Sequence, residues 1–192
     1  MRIILIRHAA VNIRLPAYCN SEEYDQAYAE YDRCGIRSEK DLSDILQKLS
    51  TYTPPGSPVY VSSLRRTALT AQLLFGDSAE YEIDPMLDEI PLRSCTDTKC
   101  RLPFWLWNVL ARVQWFLNIH RQPETRRDSI TRARKVLNGL TEKGEDCIVI
   151  SHGYFLFVLF SEARRKGYLV KQDDRIHPRN LGVSIIECEK EA

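Results

Sequence analysis

No charge of one sign dominates this chain of 192 residues: 27 Lys and Arg stand against 26 Asp and Glu, a formal net charge of +1. Bulk electrostatics gives no reason to expect attraction to nucleic acid or to an anionic membrane, so any phosphate binding must be local. No CxxC pair occurs among the six cysteines, Cys19, Cys34, Cys95, Cys100, Cys147 and Cys188, and only Cys95 and Cys100 are near each other. Zinc ligation needs clustered thiolates or imidazoles, and a secreted disulfide framework is denser and comes with a signal peptide. Free thiols in a reducing compartment are expected instead. Met1 and Arg2 are followed by only four aliphatic residues before Arg7-His8, too few for a signal h-region, which predicts a cytoplasmic location. There is no run of ~20 predominantly apolar residues that would span a bilayer. Internal repeats, low-complexity tracts and linkers are also missing, so a single domain over 1–192 is expected, large enough to bury a core without metals or disulfides.

What is present begins with Ile3-Ile4-Leu5-Ile6-Arg7-His8-Ala9. Four aliphatic residues in a row read as a strand buried on both faces, and such a strand in an α/β protein delivers its last residues to the carboxyl edge of a sheet, where ligands bind. Cys147-Ile148-Val149-Ile150-Ser151-His152-Gly153 repeats the pattern, with a helix-like stretch from Tyr154 to Lys166 behind it. Between them, the strand-like Pro58 to Ser62 runs almost directly into a helix from Leu64 to about Phe75 that carries Arg65 and Arg66.

The remaining segments alternate in kind. Ala10 to Asn20 reads as a loop, and Ser21-Glu22-Glu23 as a helix start with acidic residues in its first turn. Tyr24, Tyr28 and Tyr31 then form one aromatic stripe, either packed in the core or set on the rim of a pocket. Ser38 and Asp41 resemble a cap before a helix carrying Leu42, Ile45, Leu46 and Leu49. Glu80 to Asp84 has the length of a third strand. Leu102 to Ile119 holds all three tryptophans, Trp105, Trp107 and Trp115, in an inserted helical segment spanning about 101–122. It reads as a buried or lid helix, a lid covering the pocket and offering aromatic walls to the non-phosphate half of a substrate; a core helix, an interface to another copy and a membrane-surface helix are the alternatives. A helix through Ile130, Ala133, Val136, Leu137 and Leu140 stops near Gly144, with Arg126, Arg127, Arg132, Arg134 and Lys135 as its solvated face. A charged loop from Gln172 to Arg179 holds His177, and Asn180 to Glu187 ends in a strand.

The three patches around Arg7-His8, Ser62 to Ala71 and Ser151-His152-Gly153 resemble the histidine phosphatase superfamily, the phosphoglycerate mutase-like proteins. In that family an Arg-His-Gly motif ends the first strand, a Ser-x-Leu-x-Arg-Ala-x-x-Thr-Ala helix start supplies a second arginine, and a Ser/Ala-His-Gly motif a second histidine. Arg7, His8, Arg66 and His152 match, and Glu89, in the Leu-x-Glu context after the third strand, matches the general acid. The resemblance implies a three-layer α/β/α sandwich with a mostly parallel central sheet. It also implies a metal-independent phosphomonoesterase that needs no cofactor, forms a phosphohistidine and acts on a small phosphorylated metabolite.

The residue types suit that chemistry. Arginine keeps its proton and grips a phosphoryl group with a planar fork, which assigns Arg7 and Arg66 to the clamp. An unprotonated imidazole nitrogen attacks phosphorus, the part given to His8; His152 donates to the phosphoryl oxygens, and Glu89 protonates the leaving oxygen before acting as base on water. Departures from the pattern are Ala9 for the usual glycine, Val11 where a hydroxyl is common, with Asn12 as a substitute contact, and Ile90-Pro91-Leu92-Arg93 in place of the family's Gly and aromatic-Glu-Gly after the acid. The missing Glu-Gly favours hydrolysis over mutase-type transfer. A non-catalytic phospho-ligand module is the reading from a different class.

Overall fold

The computed structural model describes residues 1–37, 41–172 and 178–188. Ser38 and His177 lie outside them. In chain order the elements are β1 (Arg2–Arg7), β2 (Tyr18–Cys19), α1 (Ser21–Arg33), α2 (Ser43–Tyr52), β3 (Val59–Val61), α3 (Arg65–Phe75), β4 (Glu82–Ile83), a 3-10 turn (Pro85–Leu87) and β5 (Leu102–Pro103). Then follow α4 (Phe104–Phe116), α5 (Arg126–Lys143), β6 (Cys147–Ser151), α6 (Gly153–Arg165), β7 (Leu169–Gln172) and β8 (Val183–Glu187).

Six strands form one sheet in the order β4-β3-β6-β1-β8-β7. The first four run parallel; β8 is antiparallel to β1, and β7 to β8. Alternation along β1 explains the layers. Ile3 and Leu5 point into a core built with α5 and α6, through Leu137, Leu140, Phe155 and Leu159. Ile4 and Ile6 point the other way, against Ile45 and Leu49 of α2 and Ala71 and Leu74 of α3. All four β1 aliphatics are fully buried, each side chain stabilising the fold by roughly 1.5–3 kcal/mol, so this strand holds the two helical layers together. The expected sandwich with a mostly parallel sheet is what the chain forms.

A third, smaller core lies away from the sheet. Cys19, Tyr24, Ala27, Phe104 and Trp107 join α1 to α4, and the two-residue strands β2 and β5 pair beside them. Local chemistry fixes the helix ends. Asn20 and Glu23 form a capping box on α1, Thr125 and Asp128 another on α5, and Gly144 ends α5 in the left-handed conformation. α2 begins later than the expected Ser38–Asp41 cap: its N-cap is Leu42, with no side-chain cap bond, and Asp41 accepts from the backbone and hydroxyl of Ser43.

Several expectations are corrected. β2, β5 and β7 were not anticipated, since strands of two to four residues carry too little period to read, and the third strand shrinks to Glu82–Ile83 at an exposed edge. Gln172 belongs to β7 rather than to a loop. Arg132 is not on the solvated face of α5. Its side chain is 15% exposed, forks onto Glu124 through Nε and Nη2 at 3.1 and 2.8 Å, and donates from Nη1 to the carbonyls of Met86 and Asp88, each at 2.8 Å. The six cysteines are unpaired. Among the described residues no helix is long and apolar enough to cross a membrane.

Candidate active site

β1, β3 and β6 end at the same sheet edge, and their register sets Arg7 opposite Ser151. The chain turns sharply beyond each strand, and the side chains there converge. His8 is 1% exposed; its backbone N–H donates to the Ser151 carbonyl at 3.0 Å and its own carbonyl accepts from Asn180 Nδ2 at 2.8 Å. The ring sits 2.7 Å from the Ala9 carbonyl through Nδ1. A carbonyl can only accept, so Nδ1 carries the hydrogen and Nε2 is left with a bare lone pair. Burial first, then the charges of Arg66 and Arg7, hold the His8 pKa down at about 3, which keeps the ring neutral.

His152 follows β6, fully buried, its ring centroid 5.0 Å from that of His8. Arg66 Nε donates to its Nδ1 at 3.1 Å, so the neutral ring carries hydrogen on Nε2, which meets Ser62 Oγ at 2.7 Å. Burial and the nearby Arg66 push its pKa well below the ordinary histidine value. This differs from the expected donor: toward the arginines His152 accepts, and donating to a phosphoryl oxygen from Nδ1 requires the imidazolium, which a bound dianion favours.

Arg66, in the first turn of α3, is 1% exposed, with Nη1 on Asp32 at 2.8 Å and Cζ 4.9 Å from the Tyr31 ring centroid. Arg7 donates from Nη1 to the Pro178 carbonyl at 3.0 Å, while its buried Nε has no hydrogen-bond partner. Gly153 lies close to the clamp: a Cβ at that position would be 3.1 Å from Arg7 Cζ, so any side chain there would press on the guanidinium. Ala9 is accommodated, its amide held by Thr70 Oγ1 at 3.0 Å.

Glu89 completes the constellation from a different layer. Oε1 accepts from the backbone amides of Ile90 and Phe155 at 2.9 and 3.1 Å, and Oε2 from that of Tyr154 at 3.4 Å, so the carboxylate caps α6, whose N-cap His152 makes no side-chain cap of its own. The preceding segment is tied down by Arg132, by Ser151 Oγ donating to Leu87 O at 2.7 Å, and by Asp88, which accepts from Ser63 N and Oγ at 2.7 and 2.6 Å.

Arg7, Arg66 and Glu89 line a cleft of ≈ 1330 Å³, at the large end for small-molecule sites; His8 and His152 lie behind that lining. Tyr28 and Tyr31 of the aromatic stripe reach it, whereas Tyr24 belongs to the small core. The inserted helix α4 is a wall of this cleft. Its Val109, Arg112, Val113 and Phe116 face the opening, Phe104 lines it while also joining the small core, and Trp107 packs behind. Trp105 and Trp107, which would report on a lid, are not part of the cleft lining. Trp107 is fully buried with Nε1 on the Cys19 carbonyl at 2.9 Å, and Trp105, 65% exposed, is outside the lining. Val11 and Asn12 also lie outside it.

Reading the sequence assigned no part to Ser62, Asp32, Arg112 or Arg132, whose parts come from tertiary contacts. Ser62 left a trace as the first residue of the second motif patch, and Arg112 as a charge interrupting an otherwise apolar helix.

No curated protein matches the sequence. Among solved structures, the chain is similar to a phosphoserine phosphatase from Entamoeba histolytica in complex with 3-phosphoglyceric acid, at 16% identity and TM-score 0.61, covering 96% of this chain and 89% of that one. It is also similar to the α-ribazole phosphatase of Shigella flexneri, at 18% identity and TM-score 0.56, covering 98% and 91%. A mycobacterial glucosyl-3-phosphoglycerate phosphatase shares 17% identity with a TM-score of 0.54, covering 85% and 79%. At such identities these likenesses speak for the fold alone. The sequence itself carries the rest, because the family model for branch 1 matches from the first sheet strand through both histidine strands, over residues 3–192: the chain belongs to the histidine phosphatase superfamily.

Proposed function

We propose that this histidine phosphatase hydrolyses small phosphomonoesters without a metal, through a phosphoryl group carried on His8. The observation that carries the reading is the His8 tautomer: Nδ1–H is committed to Ala9 O, so the unprotonated Nε2 is the nucleophile, within reach of the charges of Arg66 and Arg7. Arg7 and Arg66 hold the phosphoryl oxygens and match their charge in the transition state. His8 Nε2 attacks phosphorus as the ester P–O bond breaks, and protonated Glu89 gives its proton to the departing oxygen. Glu89, now ionised, takes a proton from water, and that water cleaves the P–N bond to release phosphate and restore His8. His152, once protonated beside the dianion, turns Nδ1 into a further donor. A small phosphorylated metabolite as substrate is supported by the similar proteins, which act on phosphoserine, α-ribazole phosphate and glucosyl-phosphoglycerate by name.

The test is a brief incubation with labelled phosphomonoester in the presence of chelator, quenched without acid. An acid-labile, base-stable label is expected on the wild type and not on His8→Ala. Glu89→Gln should slow alkyl phosphates by about 10²–10⁴-fold and aryl phosphates with good leaving groups much less. Label retained in His8→Ala removes the nucleophile assignment, and equal losses on both ester types remove the acid.

A further inference from the structure

We infer that the cleft selects phosphomonoesters bearing a second anionic group on the organic half, and that Arg112 receives this group; the inference rests on the reading of Arg7, Arg66 and His8 as the phosphoryl site. Arg112 stands on the cleft-facing side of α4, among Val109, Val113 and Phe116. Its guanidinium lies against the Tyr154 ring, with Cζ 3.4 Å from the centroid. Nε and Nη1 are enclosed and have no hydrogen-bond partner, and Nη2 makes one long contact, 3.5 Å to the Ile90 carbonyl. Two other arginines of the cleft are paired with carboxylates, Arg66 with Asp32 and Arg132 with Glu124, and the third, Arg7, is given to the phosphoryl group. Among the described residues no carboxylate is paired with Arg112.

A guanidinium never gives up its proton, so a half-buried one without a counter-ion is a standing cost to the fold. An arriving anion offsets that cost, whereas a neutral hydroxyl does so only weakly. Position favours a substrate group over a structural one. Tyr154, on which Arg112 lies, donates its amide to Glu89 Oε2 at 3.4 Å and follows Gly153, whose Cα packs on Arg7. A phosphoryl group on the two clamp arginines, with its leaving oxygen toward Glu89, therefore directs the rest of the molecule along the Tyr154 ring toward Arg112. Nη2 meets the second anion first. Turning the side chain off the ring would free Nε and Nη1 for a two-pronged hold of the kind carboxylate and phosphate both accept.

Matched pairs of esters test this and separate the two kinds of anion: 3-phosphoglycerate against glycerol 3-phosphate for a carboxylate, and fructose 1,6-bisphosphate against fructose 6-phosphate for a second phosphate. In the wild type the anionic member of at least one pair should have the higher kcat/KM. In Arg112→Gln that ratio should fall about 10- to 100-fold, the loss expected for a hydrogen bond to a charged group. Arg112→Lys, which keeps the charge without the fork, should retain part of it. Because the ratio is taken within one protein, a general loss of activity or stability cancels. The same ratio is read as Kd by calorimetry in the His8→Ala background, where no ester is turned over. Equal ratios in wild type and Arg112→Gln for both pairs overturn the inference, as does a wild type that favours neither anionic member. A wild type that hydrolyses no ester, aryl phosphate included, while the Kd ratio still depends on Arg112 overturns the phosphatase reading and leaves the anion site standing.

Discussion

His8 and His152 are neutral because the protein surrounds them with apolar packing and arginine, and this makes them a liability in acid. The folded pKa of His8 lies at about 3 against 6.5 for a free histidine. Above pH 6.5 neither the folded nor the unfolded state protonates it, and its contribution is flat. As pH falls from 6.5 toward 3, the unfolded chain binds a proton that the folded one refuses, so stability drops by up to about 1.4 kcal/mol per pH unit for each such histidine. His152 shifts in the same direction and adds to the slope. Urea unfolding at pH 7 and pH 5 should therefore show the wild type losing about 2 kcal/mol more than His8→Asn over that interval. Identical losses would mean that His8 titrates normally in the fold.

At the scale of elements, α4 shows how one helix serves two surfaces. Its thirteen residues place Phe104 and Trp107 against α1 and the β2–β5 pair, and turn Val109, Arg112, Val113 and Phe116 to the cleft. Trp115 ties the same helix to the main core, with Nε1 on Ser129 Oγ at 3.0 Å. An element anchored at both places is a fixed wall, and its tryptophans are unequal. Trp107→Ala removes a fully buried ring and should cost about 3–5 kcal/mol, whereas Trp105→Ala, on the solvent side, should stay within about 0.5 kcal/mol. Melting temperatures of the two variants decide it; similar shifts would contradict the packing. The sequence could not rank these residues, because three tryptophans within eleven positions of one apolar stretch leave the buried face ambiguous until a partner helix is known. The strands that exit at Arg7 and His152 were legible for the opposite reason: a short aliphatic run ending in a polar residue has one reading in an α/β sheet. Arg132 was misread because basic residues on a helix look alike in sequence, whether they face water or reach two carbonyls of a neighbouring loop.

Across the whole molecule, the site gathers residues from nearly the full length of the chain. Asn180 Nδ2 supports the His8 carbonyl from 172 positions away, the amide of Leu181 donates to the Arg7 carbonyl at 2.9 Å, and Pro178 O takes the Arg7 guanidinium. The last strand, β8, is threaded antiparallel against β1, so the beginning and end of this chain are laced together at the sheet edge where the histidines stand. Contacts this distant in sequence close late in folding. On refolding from urea, phosphatase activity should return in the same slow phase as the complete sheet, with no earlier active species; activity preceding the far-ultraviolet signal of the sheet would contradict this. The same threading makes the bracing of the sheet edge depend on the far end of the sequence: a chain cut short before Pro178 would hold Arg7, His8, Arg66, Glu89 and His152 without the bonds from Pro178, Asn180 and Leu181 that fix Arg7 and His8.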